Sequence, residues 1–484
     1  MPRLSRVLYC VTAAAAAVTM ATGPATAAPQ TVHEWLTRPG VTTPTEAELS
    51  WQTPAASGAT TIRLDSNVKF QSVSGFGAAI TDSAAHVLYG LAPAARDEVM
   101  KNLFAPRAGA GISFLRQPIG ASDFAVGQDY SFDDVPAGQT DYALQHFSIA
   151  HDEAQILPLV RQAQKLNPKL QIVASPWSMP GWMKTGGSMI DGKLIDSPRI
   201  YRAYAAYLVK FLQAYQKAGV HVDYLTVQNE PQALERKNYP GTDLPWQQEA
   251  KVIEALGPAI HAAGLDTKIL GFDHNWTEHP GDIASHQRAG EDPQPEYPYD
   301  LLATNAAKWM AGTAYHCYYG SPDAQTPLKA SYPGKDVFMT ECEGGDSATI
   351  IGVMQNWGRS SIDWNIALDE NHGPHLGGCG TCNGTVTVDS RTRAVTYNDQ
   401  YRDIEHFTKF VPPGAVHIAA SVVYTSGTGT PIQAVAFTDP DRSTALVALN
   451  TAKTAQTFTV VSGGRSFDAT VPAGATVTFH WSGR

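Results

Sequence analysis

The sequence predicts a mixed α/β protein: a (β/α)8 barrel of the TIM type carrying an all-β sandwich. Three observations predict it. Between about residues 70 and 410, eight short apolar runs alternate with helix-length segments, which favours a closed parallel barrel over an open sheet. From about Pro412 the texture changes to short β-branched runs separated by Gly, Pro, Asp and Ser, with no helical pattern between them. Residues from about Val32 to Leu64 also read as extended, so the sandwich is expected to draw on both chain ends. The expected organisation is a leader over 1–27, a strand segment over 28–66, the barrel over 67–410 and the sandwich over 411–484.

The barrel strands are expected at Gly75–Thr81, Ile112–Ile119, Gln171–Ser178, Tyr224–Glu230, Thr267–His274, Gly312–Tyr319, Asp336–Glu343 and Ile362–Leu368. One connecting helix is clear from its punctuation. Ser197 can cap it and Pro198 suits its first turn. Tyr201, Tyr204, Leu208, Phe211 and Tyr215 then repeat at three and four, and Gly219 ends it. In the sandwich, strands are expected at Val416–Tyr424, Gln433–Phe437, Thr444–Asn450, Thr457–Val461 and Thr476–Trp481. No solenoid-length repeat is present.

At the N-terminus, Arg3 and Arg6 precede an Ala/Val-rich run that ends in Ala25-Thr26-Ala27, the pattern of a secretory signal peptide. The expected mature chain is therefore secreted, extracellular and without membrane insertion, since no later apolar run reaches the roughly 18–20 residues of a span. Removing the two arginines from 35 basic residues leaves 33 against 45 acidic ones, a formal charge of −12. With no basic cluster, nucleic acid is not an expected partner. Four cysteines remain, too few for a disulfide-built scaffold. In an exported chain with no second CxxC, Cys379-Gly380-Thr381-Cys382 is read as a local disulfide after strand eight. Cys317 and Cys342 end strands six and seven and could be neighbours; free buried thiols are preferred to a bond, which the sequence leaves open.

The chemistry concentrates at strand ends. Thr226-Val227-Gln228-Asn229-Glu230-Pro231 closes the fourth strand, and Pro231, lacking a donor, should stop it there. Asp336-Val337-Phe338-Met339-Thr340-Glu341-Cys342-Glu343 closes the seventh. Strands three positions apart face each other across a barrel mouth, so two carboxylates can flank one sugar, as glycoside hydrolysis requires. Period two puts Glu341 and Glu343 on one side, and parity does not choose between them.

Seven stretches, GFGAAITDSAA (75–85), FLRQPIGASDF (114–124), SPWSMPGWMKT (175–185), TVQNEP (226–231), AYHCYY (314–319), FMTECEGG (338–345) and DWNIALDENHGP (363–374), resemble glycoside hydrolase family 30 in order and spacing. The likeness is strongest to its branch of glucosylceramidases and β-1,6-glucanases, and it runs from about residue 70 to the C-terminus. It implies a secreted, retaining hydrolase of β-glucosidic bonds, monomeric and needing no cofactor. By the same resemblance Glu230 is the acid/base and Glu341, rather than Glu343, the nucleophile. The Glu341 anion should oppose ionisation of Glu230 and raise its pKa until the sugar ester removes that charge. Asn229 matches a residue that bonds the sugar 2-hydroxyl. Asp123, Trp177 and Trp364 match residues that grip glucose hydroxyls, and Tyr318 matches one beside the nucleophile. Arg116 is expected to pair with Glu341. His316 is left open between a structural histidine and a ligand contact.

Asp273, His274, His279, His372 and His375 raise the question of a metal, but no HExxH-type spacing occurs and no metal site is expected. A carbohydrate-binding protein without catalysis is the rival from another class, and two strand-end glutamates argue against it. Among substrates, a β-1,6-glucan or gluco-oligosaccharide is ranked above glucosylceramide. The segments expected around the leaving-group side are Thr185–Leu194, Asn238–Trp246 and His372–Thr385, and within them Thr185–Ser188 and Gly377–Thr385 offer mostly small or polar groups. Trp276, Tyr318, Tyr319 and Leu376 are the residues that would supply apolar surface instead.

Overall fold

The computed structural model describes residues 31–483 apart from 42, 54, 57, 234–237 and 425–430; the expected leader lies outside the described residues. Eight parallel strands form the barrel: β1 Gly75–Ala79, β2 Phe114–Pro118, β3 Gln171–Ser175, β4 Tyr224–Thr226, β5 Lys268–Asn275, β6 Met310–His316, β7 Asp336–Glu341 and β8 Ser360–Asn365. They pair in chain order from β1 to β7, with β8 against β1. Backbone bonds from Arg359 N to Val337 O and from Trp364 N to Cys342 O, both 2.8 Å, close the ring between β7 and β8.

Strand periodicity fills the interior in layers. Phe114, Val173, Tyr224, Leu270, Ala314, Phe338 and Ile362, from seven successive strands, pack together as a buried apolar plug. Two residues further along, the same inward positions carry Arg116, Ser175, Thr226, His316, Thr340 and Trp364, so the layer above the plug is mostly polar and all of it is buried. β5 breaks the alternation. Phe272 and Asp273 have positive φ, at 75° and 59°, and the pairing register with β6 shifts between Phe272 and His274. This bulge turns Phe272 outward onto Tyr297 and Tyr315 and puts Asp273 into the polar layer instead. The freed Phe272 N–H donates to buried Glu249 at 3.1 Å, and burial holds the Glu249 carboxyl up at about 7.

The helix over Pro198–Lys217 forms as its punctuation predicts. Ser197 Oγ accepts from Arg199 N, and Gly219 takes φ 83° just beyond the end. β4 does not end where Pro231 suggests. It stops at Thr226, and the next residues turn to neighbouring loops: Asn229 N donates to Pro176 O at 2.8 Å and Glu230 N to Asp273 O at 3.0 Å. Glu230 sits at φ 46°, in the left-handed region.

Nine strands from both chain ends make the sandwich, ordered 465–471, 456–462, 60–72, 416–424, 432–438, 444–450, 476–481, 31–37 and 45–50. Its core includes Val32, Ile62, Phe458, Phe467, Val477, Phe479 and Trp481. The strand Arg465–Val471 is absent from the sequence reading, because its own Arg465, Ser466, Asp468 and Ala469 dilute the β-branched pattern. Among the described residues no helix is long and apolar enough to cross a membrane.

Candidate active site

Asp273 is the hub of the polar layer. Its Oδ2 accepts from Arg116 Nη2 at 2.8 Å and lies 2.7 Å from the hydroxyls of Ser175 and Thr226; its Oδ1 accepts from Thr340 at 2.6 Å and sits 3.1 Å from His316 Nε2. Burial works against the charge, yet Arg116 and these donors outweigh it and hold the Asp273 carboxyl far below the ordinary range. His316 shows the mirror case. Burial pulls its pKa down, but the charge of Glu341 and hydrogen bonds to Asp273 and Glu230 bring it up to about 9.

Above this layer a cavity of about 340 Å³ is lined by Asp123, Trp177, Asn229, Glu230, Tyr318, Glu341 and Trp364, together with Tyr239, Glu343, Gly378, Cys379 and Cys382. The structure thus brings together seven of the eight residues expected to act on a ligand. Arg116 is the eighth and is not on the wall. Fully buried beneath it, Arg116 pairs through Nη1 with Glu341 and donates through Nη2 to Asn229 Oδ1 at 2.8 Å. Tyr318 holds the other oxygen of Glu341, its hydroxyl donating to Oε1 at 2.8 Å. Glu343 lies beyond the strand end and accepts from Asn383 N at 3.1 Å.

A single imidazole nitrogen touches both strand-end carboxylates. His316 Nδ1 lies 3.3 Å from Glu230 Oε1 and 3.8 Å from Glu341 Oε1. Trp177 and Trp364 stack with centroids 4.8 Å apart, and the Arg116 guanidinium lies 4.8 Å from the first ring. Gly378, at φ 75°, packs so closely on Asp123 that a Cβ there would fall 2.5 Å from Oδ2. The loop that carries it is tied by the expected Cys379–Cys382 disulfide.

Two expectations are corrected. Cys317 and Cys342 are bonded to each other, not free: β6 and β7 are adjacent parallel strands that end together, leaving the Cα atoms 5.1 Å apart, within disulfide reach. Trp276 is buried and offers no apolar apron, whereas Tyr318, Tyr319 and Leu376 are exposed. Asp273 and His274 enter the site although the sequence reading grouped them only with scattered metal-type residues. The usable signal was a strand end, Gly271-Phe272-Asp273-His274-Asn275, that carries an acid just as β4 and β7 do. Thr185–Leu194 does not line the cavity. It braces the wall, through Lys184 Nζ, which donates to Met189 O at 2.9 Å and to Gly241 O at 2.5 Å, and through Lys193 Nζ to Asp243 at 3.1 Å.

Comparison with known proteins meets this geometry independently. The glycosyl hydrolase family 30 TIM-barrel domain matches residues 73–349, and the family 30 beta sandwich domain matches residues 414–479. The endo-1,6-beta-D-glucanase of Neurospora crassa is 34% identical over 398 residues, 78% of this chain and 78% of that protein. Endo-1,6-beta-D-glucanase neg1 of Aspergillus fumigatus is 32% identical, covering 84% and 85%. The lysosomal acid glucosylceramidase of Mus musculus is 28% identical, covering 87% and 83%. A solved endo-beta-1,6-glucanase superposes with a TM-score of 0.83 at 30% identity, covering 94% of this chain and all of the other.

Proposed function

The chain belongs to glycosyl hydrolase family 30, and on that premise we propose that it cleaves β-1,6-linked glucan with retention, through a glycosyl ester on Glu341. The observation that carries the mechanism is the shared nitrogen of His316. Contacts of 3.3 and 3.8 Å to Glu230 and Glu341 keep those oxygens within about 7.1 Å of each other, close enough for both carboxylates to act on one glycosidic bond. That limit overlaps the roughly 6.5–9.5 Å of an inverting pair, and the choice of retention rests on the family. Retention needs the carboxyl groups about 5–5.5 Å apart.

In the first step an oxygen of Glu341 attacks the anomeric carbon while Glu230 gives its proton to the departing glycosidic oxygen. Glu230 then takes a proton from water, whose oxygen displaces Glu341 from the sugar. Arg116 and Tyr318, one on each oxygen, aim the Glu341 carboxylate. Because Arg116 occupies Asn229 Oδ1, the amide nitrogen of Asn229 is left to meet the sugar 2-hydroxyl. Asp123 accepts sugar hydroxyls, and Trp177 and Trp364 offer apolar faces and N–H donors. Export follows from the Arg3, Arg6 and Ala25-Thr26-Ala27 pattern.

The substrate assignment is supported by the relatives named as endo-1,6-glucanases and by the small, polar loop over 377–385. Glucosylceramide is the second reading, favoured by exposed Tyr318, Tyr319 and Leu376. Comparing kcat/KM on pustulan, gentio-oligosaccharides and detergent-solubilised glucosylceramide separates them: clear preference for the lipid reverses the ranking. Proton NMR of the first-formed anomer tests retention, and an α-anomer released from a β-glucoside refutes it. Glu341→Gln should abolish turnover on every substrate. Glu230→Gln should spare the glycosylation step on activated aryl glucosides, whose leaving group needs little protonation. Equal loss of that step on activated and unactivated substrates would mean the two roles are misassigned.

A further inference from the structure

Two histidines converge on Glu230 in a way that proton transfer to a sugar does not require. His274, from the end of β5, and His316, from the end of β6, both direct Nδ1 at Glu230 Oε1, at 3.8 and 3.3 Å. The donor atoms of the three residues all lie within 4.8 Å of one another. His274 is buried, and its Nδ1 has no hydrogen-bond partner. The opposite nitrogen of each ring is held by a carboxylate: His274 Nε2 lies 3.2 Å from Asp282 Oδ2, and His316 Nε2 lies 3.1 Å from Asp273 Oδ1. A carboxylate behind each imidazole is the arrangement that orients histidines on metals and raises their basicity.

The spacing fits an ion. Tetrahedral zinc with bonds of about 2.0–2.2 Å separates its ligand atoms by about 3.3–3.5 Å, which the His316–Glu230 contact already matches. His274 falls short by about half an ångström, within side-chain adjustment. A fourth donor is at hand, Glu341 Oε1 at 3.8 Å from His316 Nδ1. Arg116 lies 3.5 Å from His316 Nε2, but Asp273 and Glu341 pair with it.

We propose that His274, His316 and Glu230 form an inhibitory site for a divalent transition-metal ion of the zinc and copper class, with Glu341 closing it from the facing strand. The ion replaces the proton on His316 Nδ1 and occupies the floor of the cavity, so metal and glycoside exclude each other. Two imidazoles and carboxylate oxygens select this class over magnesium or calcium. A second grouping, Asp243, His286 and Glu291, serves as the internal control, because Lys193 Nζ already sits against both of its carboxylates.

The site itself stands on these distances; its inhibitory effect rests on the reading of Glu230 and Glu341 as the catalytic pair. The test uses the full mature chain with two probes. Equilibrium dialysis with Zn²⁺ should give one saturable site, and Co²⁺ should develop the intense visible bands of a four-coordinate nitrogen–oxygen site, lost on adding Zn²⁺. His274→Gln should weaken Zn²⁺ binding at least about tenfold, Asp282→Asn about tenfold through the outer contact, and His286→Gln not at all. Circular dichroism confirms that each variant is folded, and Asp282→Asn carries the test should His274→Gln unfold. In parallel, Zn²⁺ should inhibit aryl β-glucoside hydrolysis competitively, with recovery on adding EDTA. Absence of one-to-one binding, or binding unchanged in both His274→Gln and Asp282→Asn, overturns the site. One-to-one binding that leaves turnover intact keeps the site but overturns the inhibition and the roles given to the two glutamates.

Discussion

His316 at the barrel mouth and His406 at the seam between barrel and sandwich are equally buried, yet their charge states diverge. Burial lowers both. At the mouth, the charge of Glu341 and hydrogen bonds to Asp273 and Glu230 reverse it and lift His316 to about 9. At the seam His406 lies between two hydroxyls, Thr37 Oγ1 at 2.7 Å and Thr478 Oγ1 at 2.8 Å, and burial alone drives it from 6.5 to about 3. His417, stacked on Phe70 nearby, falls to about 4 for the same reason. Burial therefore says little about a histidine's charge; the anions around it decide. The mouth keeps buried charge, at a cost in stability, to aim carboxylates, while His406 at the seam is held by neutral hydroxyls from the sandwich strands.

The strongest way to break the contrast is to neutralise the hub of the mouth. Asp273→Asn leaves the buried Arg116 paired only with Glu341 and removes an anchor of His316. We expect kcat on an aryl β-glucoside to fall about 100-fold, or about 2.7 kcal/mol. KM should change less than about threefold, since Asp273 does not line the cavity. A kcat within about threefold of wild type would mean that Arg116 and His316 hold their places without it. The fold should also lose about 3 kcal/mol, the lower end of the range for breaking a buried pair, because Asn keeps some hydrogen bonds.

The covalent ties at the mouth give the next effect. Cys317–Cys342 spans 25 residues and Cys379–Cys382 only 3. The double substitution Cys317→Ala/Cys342→Ala should cost about 3 kcal/mol in guanidinium unfolding, and removing the shorter bridge should cost less. Equal losses would show that local strain or packing, rather than restriction of the unfolded chain, sets the contribution.

The smallest effect belongs to the seam. Because the folded pKa of His406 lies below its ordinary 6.5, the unfolded chain binds that proton more tightly. The stability from neutral His406 is therefore complete above pH 6.5 and is lost as pH falls toward about 3. His406→Gln removes the titration while retaining a hydrogen-bonding amide. Its Tm should drop less than the wild-type Tm between pH 6.5 and 5.5, by an amount worth about 1 kcal/mol. Parallel profiles would show that His406 takes up a proton in the folded protein as readily as in the unfolded chain.

The sequence by itself determined the elements and their ends. The apolar runs matched eight barrel strands, the Ser197–Gly219 punctuation matched its helix, and the acids at the ends of β4 and β7 met across one cavity, because strand periodicity and turn chemistry are local. What only the tertiary structure decided lies between elements. Period two along β5 would turn Phe272 inward; the bulge that brings Asp273 in its place depends on Glu249, presented by the helix over Trp246–Ala262. The Cys317–Cys342 bond depends on two strands ending side by side, and the left-handed backbone of Glu230 on a carbonyl in the neighbouring strand. Arg116 sits beneath the cavity rather than on it because Asp273 and Glu341, 157 and 225 residues along the chain, close over it. Such contacts form only when the barrel closes, so no local pattern of residues encodes them.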